Sequence, residues 1–244
     1  RPTFSRFNSN YNALQAKLEK RYSAGLSFTL SYTWGRAIDF QSSVNFGGEN
    51  RPQDAFSLSD VRGLAAFHVA HRFVANYVYE LPWMQGRRDV LGLLAGGWRF
   101  TGLISTQTGS PLTVNEPVDL SLRALGADRP DLIRDPNNGP KTPQQWFDTS
   151  AFVRLPALAG GQRSGTAGRN VVIGPGLVQT DLGLMKDFRI TERQKMQFRF
   201  EGFNVLNRAN FLNPLTNIGA PQTFGVIQQS RAARILQVAL KYSF

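Results

Sequence analysis

Leu26, Phe28, Leu30, Tyr32 and Trp34 alternate with Ser27, Thr29, Ser31 and Thr33, the sharpest period-two pattern in the interior of the chain. That period places the two sets on opposite faces of one strand. Six other stretches carry the same alternation. In residues 10–22, Leu14, Ala16 and Leu18 oppose Gln15, Lys17 and Glu19. In residues 71–81, Phe73, Ala75, Tyr77, Tyr79 and Leu81 oppose Arg72, Asn76 and Glu80, and Pro82 ends the run. Residues 97–108 set Trp98, Phe100, Gly102 and Ile104 against Arg99, Thr101, Leu103 and Ser105. Residues 177–188 place Val178, Thr180, Leu182 and Leu184 on one face. From Lys195 to about Val205, Met196, Phe198 and Phe200 oppose Gln197, Arg199 and Glu201. The last residues set Leu236, Val238, Leu240, Tyr242 and Phe244 against Ile235, Gln237, Ala239, Lys241 and Ser243.

Seven strands of about ten residues each have the length that a tilted strand needs to cross a bilayer. The last one has two readings. It is either the final strand of a soluble sandwich or the closing strand of a bacterial outer-membrane barrel, with a terminal Phe. The connections favour the barrel. Those after strands one, three and five are short: Ser23-Ala24-Gly25, the link 83–95 and Thr191-Glu192-Arg193-Gln194. Those after strands two, four and six are long: residues 35–70, 110–176 and 207–232. Short periplasmic turns and long extracellular loops are the asymmetry of such barrels. Tyr22, Trp83, Trp98, Phe188, Tyr242 and Phe244 fall at the strand ends nearest the short turns, and Trp34 marks the opposite end. This is the pattern of an aromatic girdle at two membrane interfaces. The predicted fold is all-β, an antiparallel transmembrane barrel fragment of about seven strands. Single-chain bacterial barrels have even strand counts from eight upward, and an open sheet leaves unpaired edges in lipid. The expectation is therefore a C-terminal piece of a longer protein.

Composition adjusts this picture little. The chain has 244 residues, no cysteine and a formal net charge of +11. No apolar run approaches the ~18 residues of a membrane-crossing helix. The basic residues, among them Arg51, Arg87, Arg88, Arg123, Arg134, Arg163 and Arg193, are dispersed. No basic tail is present, so nucleic acid is not an expected partner. A helix start at Ser59-Asp60 is weakened by Gly63.

Candidate chemistry is sparse. His68 and His71 are the only histidines, and their spacing on an extended chain points them apart, which does not suit a metal pair. The run 160–168 is rich in Gly but lacks the Gly-Lys-Ser/Thr ending of a phosphate loop. Asp128, Asp131 and Asp135 lack EF-hand spacing, although a cation held by an outer loop is a second reading of them. No Gly-x-Ser-x-Gly elbow occurs. The chain reads as non-enzymatic, with no cofactor. Arg99, Gln197, Arg199, Glu201, Gln237 and Lys241 are expected to face the lumen, either as hydrated wall or as contacts for a ligand or plug. Trp146, Phe147 and Phe152, with arginines nearby, either contact ligand or fold the longest loop onto itself.

Five stretches, in order, resemble one family. They are Asn10-Tyr-Asn-Ala-Leu-Gln-Ala16 with Tyr32-Thr-Trp-Gly-Arg-Ala-Ile-Asp39; His71-Arg-Phe-Val-Ala-Asn-Tyr-Val-Tyr-Glu-Leu-Pro82; Gly97-Trp-Arg-Phe-Thr-Gly-Leu103 with Thr108-Gly-Ser-Pro-Leu112; Gly165-Thr-Ala-Gly-Arg-Asn170 with Gly174-Pro-Gly176; and Phe200-Glu-Gly-Phe-Asn-Val-Leu-Asn207 with Asn210-Phe211. Together they resemble the C-terminal barrel of TonB-dependent outer-membrane receptors, especially those with an N-terminal carboxypeptidase-regulatory-like domain. His68 departs from the pattern, which has an acidic residue before the third strand. The resemblance implies a transporter of about 22 strands in the cell outer membrane of a Gram-negative-type bacterium. It implies a plug and a TonB-binding segment upstream of Arg1. Its expected partners are outer-membrane lipid, the barrel-insertion machinery, TonB through that upstream part, and an unidentified small or oligomeric ligand. In this family Leu236, Val238, Leu240, Tyr242 and Phe244 form the row read as an assembly signal. A second function stays open, a non-transporting barrel for adhesion or surface assembly.

Overall fold

The computed structural model describes residues 8–42, 52–54, 60–84, 89–122, 128–156 and 163–244. Seven long strands form one antiparallel sheet: β1 (Asn10–Ser23), β2 (Leu26–Asp39), β3 (His71–Glu80), β4 (Trp98–Gln107), β5 (Leu177–Arg189), β6 (Lys195–Phe203) and β7 (Ile235–Ser243). Each pairs with its neighbours in sequence, so the sheet is a meander with β1 and β7 at its edges.

The register aligns the alternation of every strand with that of the next. One row runs Phe28, Tyr77, Gly102, Leu182, Gly202 and Leu236; the row beside it runs Tyr79, Phe100, Leu184, Phe200 and Val238. Between them, pointing the other way, lie Ser27, Val78, Thr101, Gly183, Glu201 and Gln237. A one-residue slip at any pairing would turn a whole strand over, and none occurs between β2 and β7. Tyr77 lies directly across from Gly102 and its ring covers the bare backbone there.

The apolar face has no second layer along β1 and β7. Leu14, Leu18, Leu236, Val238 and Leu240 are each more than half exposed. A sandwich would bury that face against another sheet. A contiguous apolar face of this extent is a lipid surface.

The β1–β2 hairpin has a two-residue turn in which Ala24 (φ 51°) and Gly25 (φ 76°) both lie in the left-handed region. That is the type I′ turn whose twist matches the strands it joins. A side chain at Gly25 would also meet Glu80 O at 2.8 Å. Glu80 N donates to Gly25 O at 2.7 Å, which ties the turn to β3.

Four expectations are corrected. β2 continues through Gly35–Asp39 and is not loop there, because it stays paired with residues 10–13 of β1. Residues 60–70 hold no helix; Gly63–Leu64 adds as a short strand to Ile38–Asp39, while Ser59 lies outside the described residues. The link between β3 and β4 contains a short helix, α1 (Val90–Ala95), whose start is capped by Asp89 accepting from Gly92 N. Finally, Tyr22 does not join the outer aromatic row. The register shifts between Lys20 and Ser23, where β1 carries an extra residue. Such a bulge reverses the facing beyond it. The Tyr22 hydroxyl accordingly donates to Glu80 Oε2 at 2.5 Å, on the polar face.

Facing has a direct consequence. Leu30→Arg, Phe198→Arg and Val238→Arg should each impair membrane insertion, since Arg on the lipid face near the midplane costs about 2–4 kcal/mol. Thr29→Arg, Gln197→Arg and Gln237→Arg should leave the amount of heat-resistant barrel in the outer membrane close to the parent level. Equal loss in both sets contradicts the facing.

Candidate functional site

The polar face carries a series of paired charges and amides. Near the short-turn end, Glu80 accepts from Tyr22 and from Arg99 Nε, the latter at 3.3 Å. Arg199 Nε donates to Gln197 Oε1 at 2.6 Å, and Gln197 Nε2 to Asp187 Oδ1 at 2.7 Å. Gln237 Nε2 donates to Glu201 Oε2 at 2.5 Å. Lys241 shares a hollow with Asp187, Arg189, Lys195, Gln197 and Ser243. All six residues expected on the lumen side therefore share this face. Higher up, Asp181 accepts from Gln179 Nε2 at 2.7 Å and from Asn204 N at 2.9 Å, which fixes the exit of β6.

At the long-loop end the connections fold together. Val114, Phe147, Ala151, Phe152, Ala167, Val172, Ile218 and Phe224 form a buried cluster drawn from the β4–β5 and β6–β7 loops. The Phe147, Phe152 and Phe224 rings meet edge to face with centroids 5.1–5.9 Å apart. Two small sheets brace the cluster, Pro111–Leu112 with Val172–Ile173 and Asp131–Leu132 with Phe152–Val153. Phe147 and Phe152 are thus loop core and not exposed contacts. Trp146 is partly buried and donates to Ile173 O at 2.8 Å.

Arg169 joins the third loop. It is buried, pairs with the Asp39 carboxylate at the end of β2, and donates to Asp39 O at 2.8 Å and Val61 O at 3.0 Å. Removing one partner of such a buried pair strands the other charge. Asn170, at φ 59°, accepts from Thr113 Oγ1 and donates to Leu64 O. Asn210 bonds Val178 in both directions at 2.9 Å, as a strand neighbour would. Asn204 and Asn207 hold positive φ, and Asn204 bonds both Arg208 N and Arg208 O. The stretches that end in Asp39, Asn170 and Asn210-Phe211 are the points where loops lock onto strands.

The aspartates singled out by sequence have separate partners. Asp128 accepts from Ser121 N and Oγ; Asp131 is bidentate to Arg163; Asp135 caps Asn137. The Arg163 guanidinium and Thr166 hold the Asp131 carboxyl below the usual range. Arg134 and Ser150 bring Asp148 down to about 2. His71 Nδ1 pairs with Tyr32 Oη at 2.8 Å on the outer face, whereas His68 Nδ1 accepts from Ala37 N at 3.3 Å. Among the described residues no three acidic, imidazole or thiol groups converge on one point. The first part of the Gly-rich run, residues 160–162, lies outside the described residues.

Two features escaped the sequence reading. One is a hollow of about 450 Å³ where β4 and β5 leave the sheet, lined by Gln107, Ser110, Phe211, Asn213, Gln229 and Arg231 among others. The amides of residues 207–232 were its only signal. The other is Lys186, which lies across from Trp98 and Phe198 on the outer face. Its parity with Leu182 and Leu184 was readable in the chain.

An open antiparallel meander with one lipid face, one polar face, short turns at one end and folded loops at the other defines the wall of an outer-membrane β-barrel. The chain belongs to the outer membrane beta barrel domain family, whose model matches residues 1–237. It accordingly resides in the outer membrane. No curated protein and no solved structure matches it.

The His68 bond makes the Gly63–Leu64 strap sensitive to pH. Burial, with a lesser contribution from Arg36, lowers its pKa from the ordinary 6.5. The neutral ring is the form that accepts from Ala37 N. The contribution is fully present above 6.5 and is lost as pH falls through the lower folded value. Deuterium uptake in residues 63–70, corrected for intrinsic exchange, should rise between about pH 7.5 and about pH 5. A flat profile would remove His68 as the fastener.

Proposed function

We propose that this wall belongs to a TonB-dependent receptor that takes up a ligand across the outer membrane, and that residues 1–244 are the C-terminal part of its barrel. The observation that carries the reading is the inner face. Arg99, Gln197, Arg199, Glu201, Gln237 and Lys241 give it hydrogen-bonding groups over the length of the strands, the lining that a hydrated plug and a passing solute need. The amide-lined hollow lies at the outer end of the same face. The five motif stretches add the family-level support, and three of them form the locks between loops and strands. On this reading TonB is engaged by the part of the protein preceding Arg1, and the chain has no catalytic role and no cofactor.

The full-length protein, extracted in detergent, should be retained by the immobilised periplasmic domain of TonB, and removal of its N-terminal segment should abolish retention. A full-length protein that assembles at the cell surface normally yet shows no retention would favour the second function, adhesion or surface assembly.

The closing strand has a separate role in this proposal. Tyr242 and Phe244 lie tilted to one another at the end of the outer row, centroids 6.0 Å apart, and Phe244 is 95% exposed. So exposed a ring contributes little packing within the chain. Its place suits recognition by the insertion machinery. Deleting Phe244 should sharply lower the outer-membrane level, while protein refolded in detergent keeps its heat-resistant form. Normal outer-membrane levels in both the deletion and a Tyr242→Ser, Phe244→Ser variant would end the assembly-signal reading.

A further inference from the structure

Two features at the short-turn end are each unfavourable alone. The first is Lys186 on the lipid-facing row. An ammonium there is expensive unless it is paired or reaches the interface. The second is α1, whose Val90, Leu91 and Leu94 are 72, 57 and 59% exposed. The structure joins them. Lys186 Nζ donates to Leu94 O at 3.1 Å and to Gly96 O, the last carbonyls of the helix. Its ammonium stands 5.4 Å from the Trp98 ring centre and 5.2 Å from that of Phe188. Trp98 Nε1 donates to the same Leu94 carbonyl at 3.0 Å. Lys186 is left only 3% exposed.

These contacts place α1 against the outside of the barrel wall, because Trp98, Lys186 and Phe198 all lie on the outer rows. The helix end covers the lysine with its backbone carbonyls and leaves Val90, Leu91 and Leu94 exposed. Trp83, 66% exposed, stands at the same end beyond β3.

We propose that α1 is an interfacial foot seated in the periplasmic leaflet of the outer membrane, with Val90, Leu91 and Leu94 among phospholipid acyl chains and Lys186 as the latch that holds it to β5. The occupant is lipid because the helix is held by Lys186 and Trp98 of the outer rows, so that its exposed Val90, Leu91 and Leu94 adjoin the lipid-facing surface of the barrel. At the helix ends Asp89 accepts from Gly92 N, and Gly96 N donates to Gly92 O at 2.9 Å, which satisfies part of the backbone in that setting. The latch meets two demands at once: it gives Leu94 O and Gly96 O a donor, and it gives partners to the charge on an apolar row. The foot sets the depth at which the barrel rides. It is independent of what the barrel transports.

The test uses the full-length protein, free of other cysteines, in phospholipid vesicles, spin-labelled at Leu91→Cys or Leu94→Cys, with Glu192→Cys in the β5–β6 turn as the aqueous control. Relaxation by oxygen, which concentrates among acyl chains, is compared with relaxation by a water-soluble nickel chelate. Labels at 91 and 94 should favour oxygen over nickel severalfold relative to 192. Lys186→Met should shift both labels towards nickel while the barrel remains heat-resistant. Labels at 91 and 94 as nickel-accessible as at 192 in the parent overturn the foot, a reading that needs no change at Lys186. An unshifted depth in both Lys186→Met and Trp98→Phe overturns the latch.

Discussion

Every backbone amide of a strand in hydrocarbon must find its partner in another strand, since no water is there to take its place. That requirement governs this molecule. It forces the seven strands into one continuous ladder. The ladder then transmits facing from strand to strand, so a single parity decides which side chains meet lipid and which meet the interior. Leu30, Phe198 and Val238 are outward for the same geometric reason that Thr29, Gln197 and Gln237 are inward. The edges β1 and β7 leave ladder groups unpaired within the chain. A bilayer demands partners for them, which accords with the proposal that this wall is completed by more of the barrel.

Beyond the membrane the constraint relaxes, and ordinary globular rules take over. The long connections build a small apolar core around Phe147, Phe152 and Phe224 and fix it to the sheet with buried polar ties. Arg169 is the central tie, since it reaches Asp39 and Val61, while Asn170 next to it reaches Leu64 of the short strand. Surface pairs such as Arg134–Asp148 add little by comparison. The outer end is therefore a folded unit in its own right, and the hollow lined by Gln107, Asn213 and Gln229 sits where it meets the strand ends.

Much of the fold was legible in the chain because a period of two is a strong signal over ten residues. All seven long strands lie within a few residues of their predicted places, apart from the extension of β2. The failures have specific causes. Alternation cannot announce a bulge, so Tyr22 looked outward although the extra residue near it turns it to Glu80. A six-residue helix with Gly92 in it has no amphipathic period to detect. Loop residues such as Phe147 form their core through partners more than sixty residues away, as with Phe224, and no local pattern encodes that pairing. The motif residues Asp39 and Arg169 were visible, but only the structure shows that they bind each other.

The central claim is that one parity, unbroken from β2 to β7 and reversed only past the bulge near the end of β1, separates lipid from lumen. Photolabelling in bilayers tests it most directly. The full-length protein would be irradiated in vesicles containing a phospholipid with a diazirine in its acyl chain, and adducts mapped by residue. Adducts should fall on Leu182, Leu184, Phe198, Phe200, Val238 and Leu240 and be missing from Asp181, Gln197, Arg199, Glu201 and Gln237. Adducts on both sets, or on the second set alone, would contradict the account.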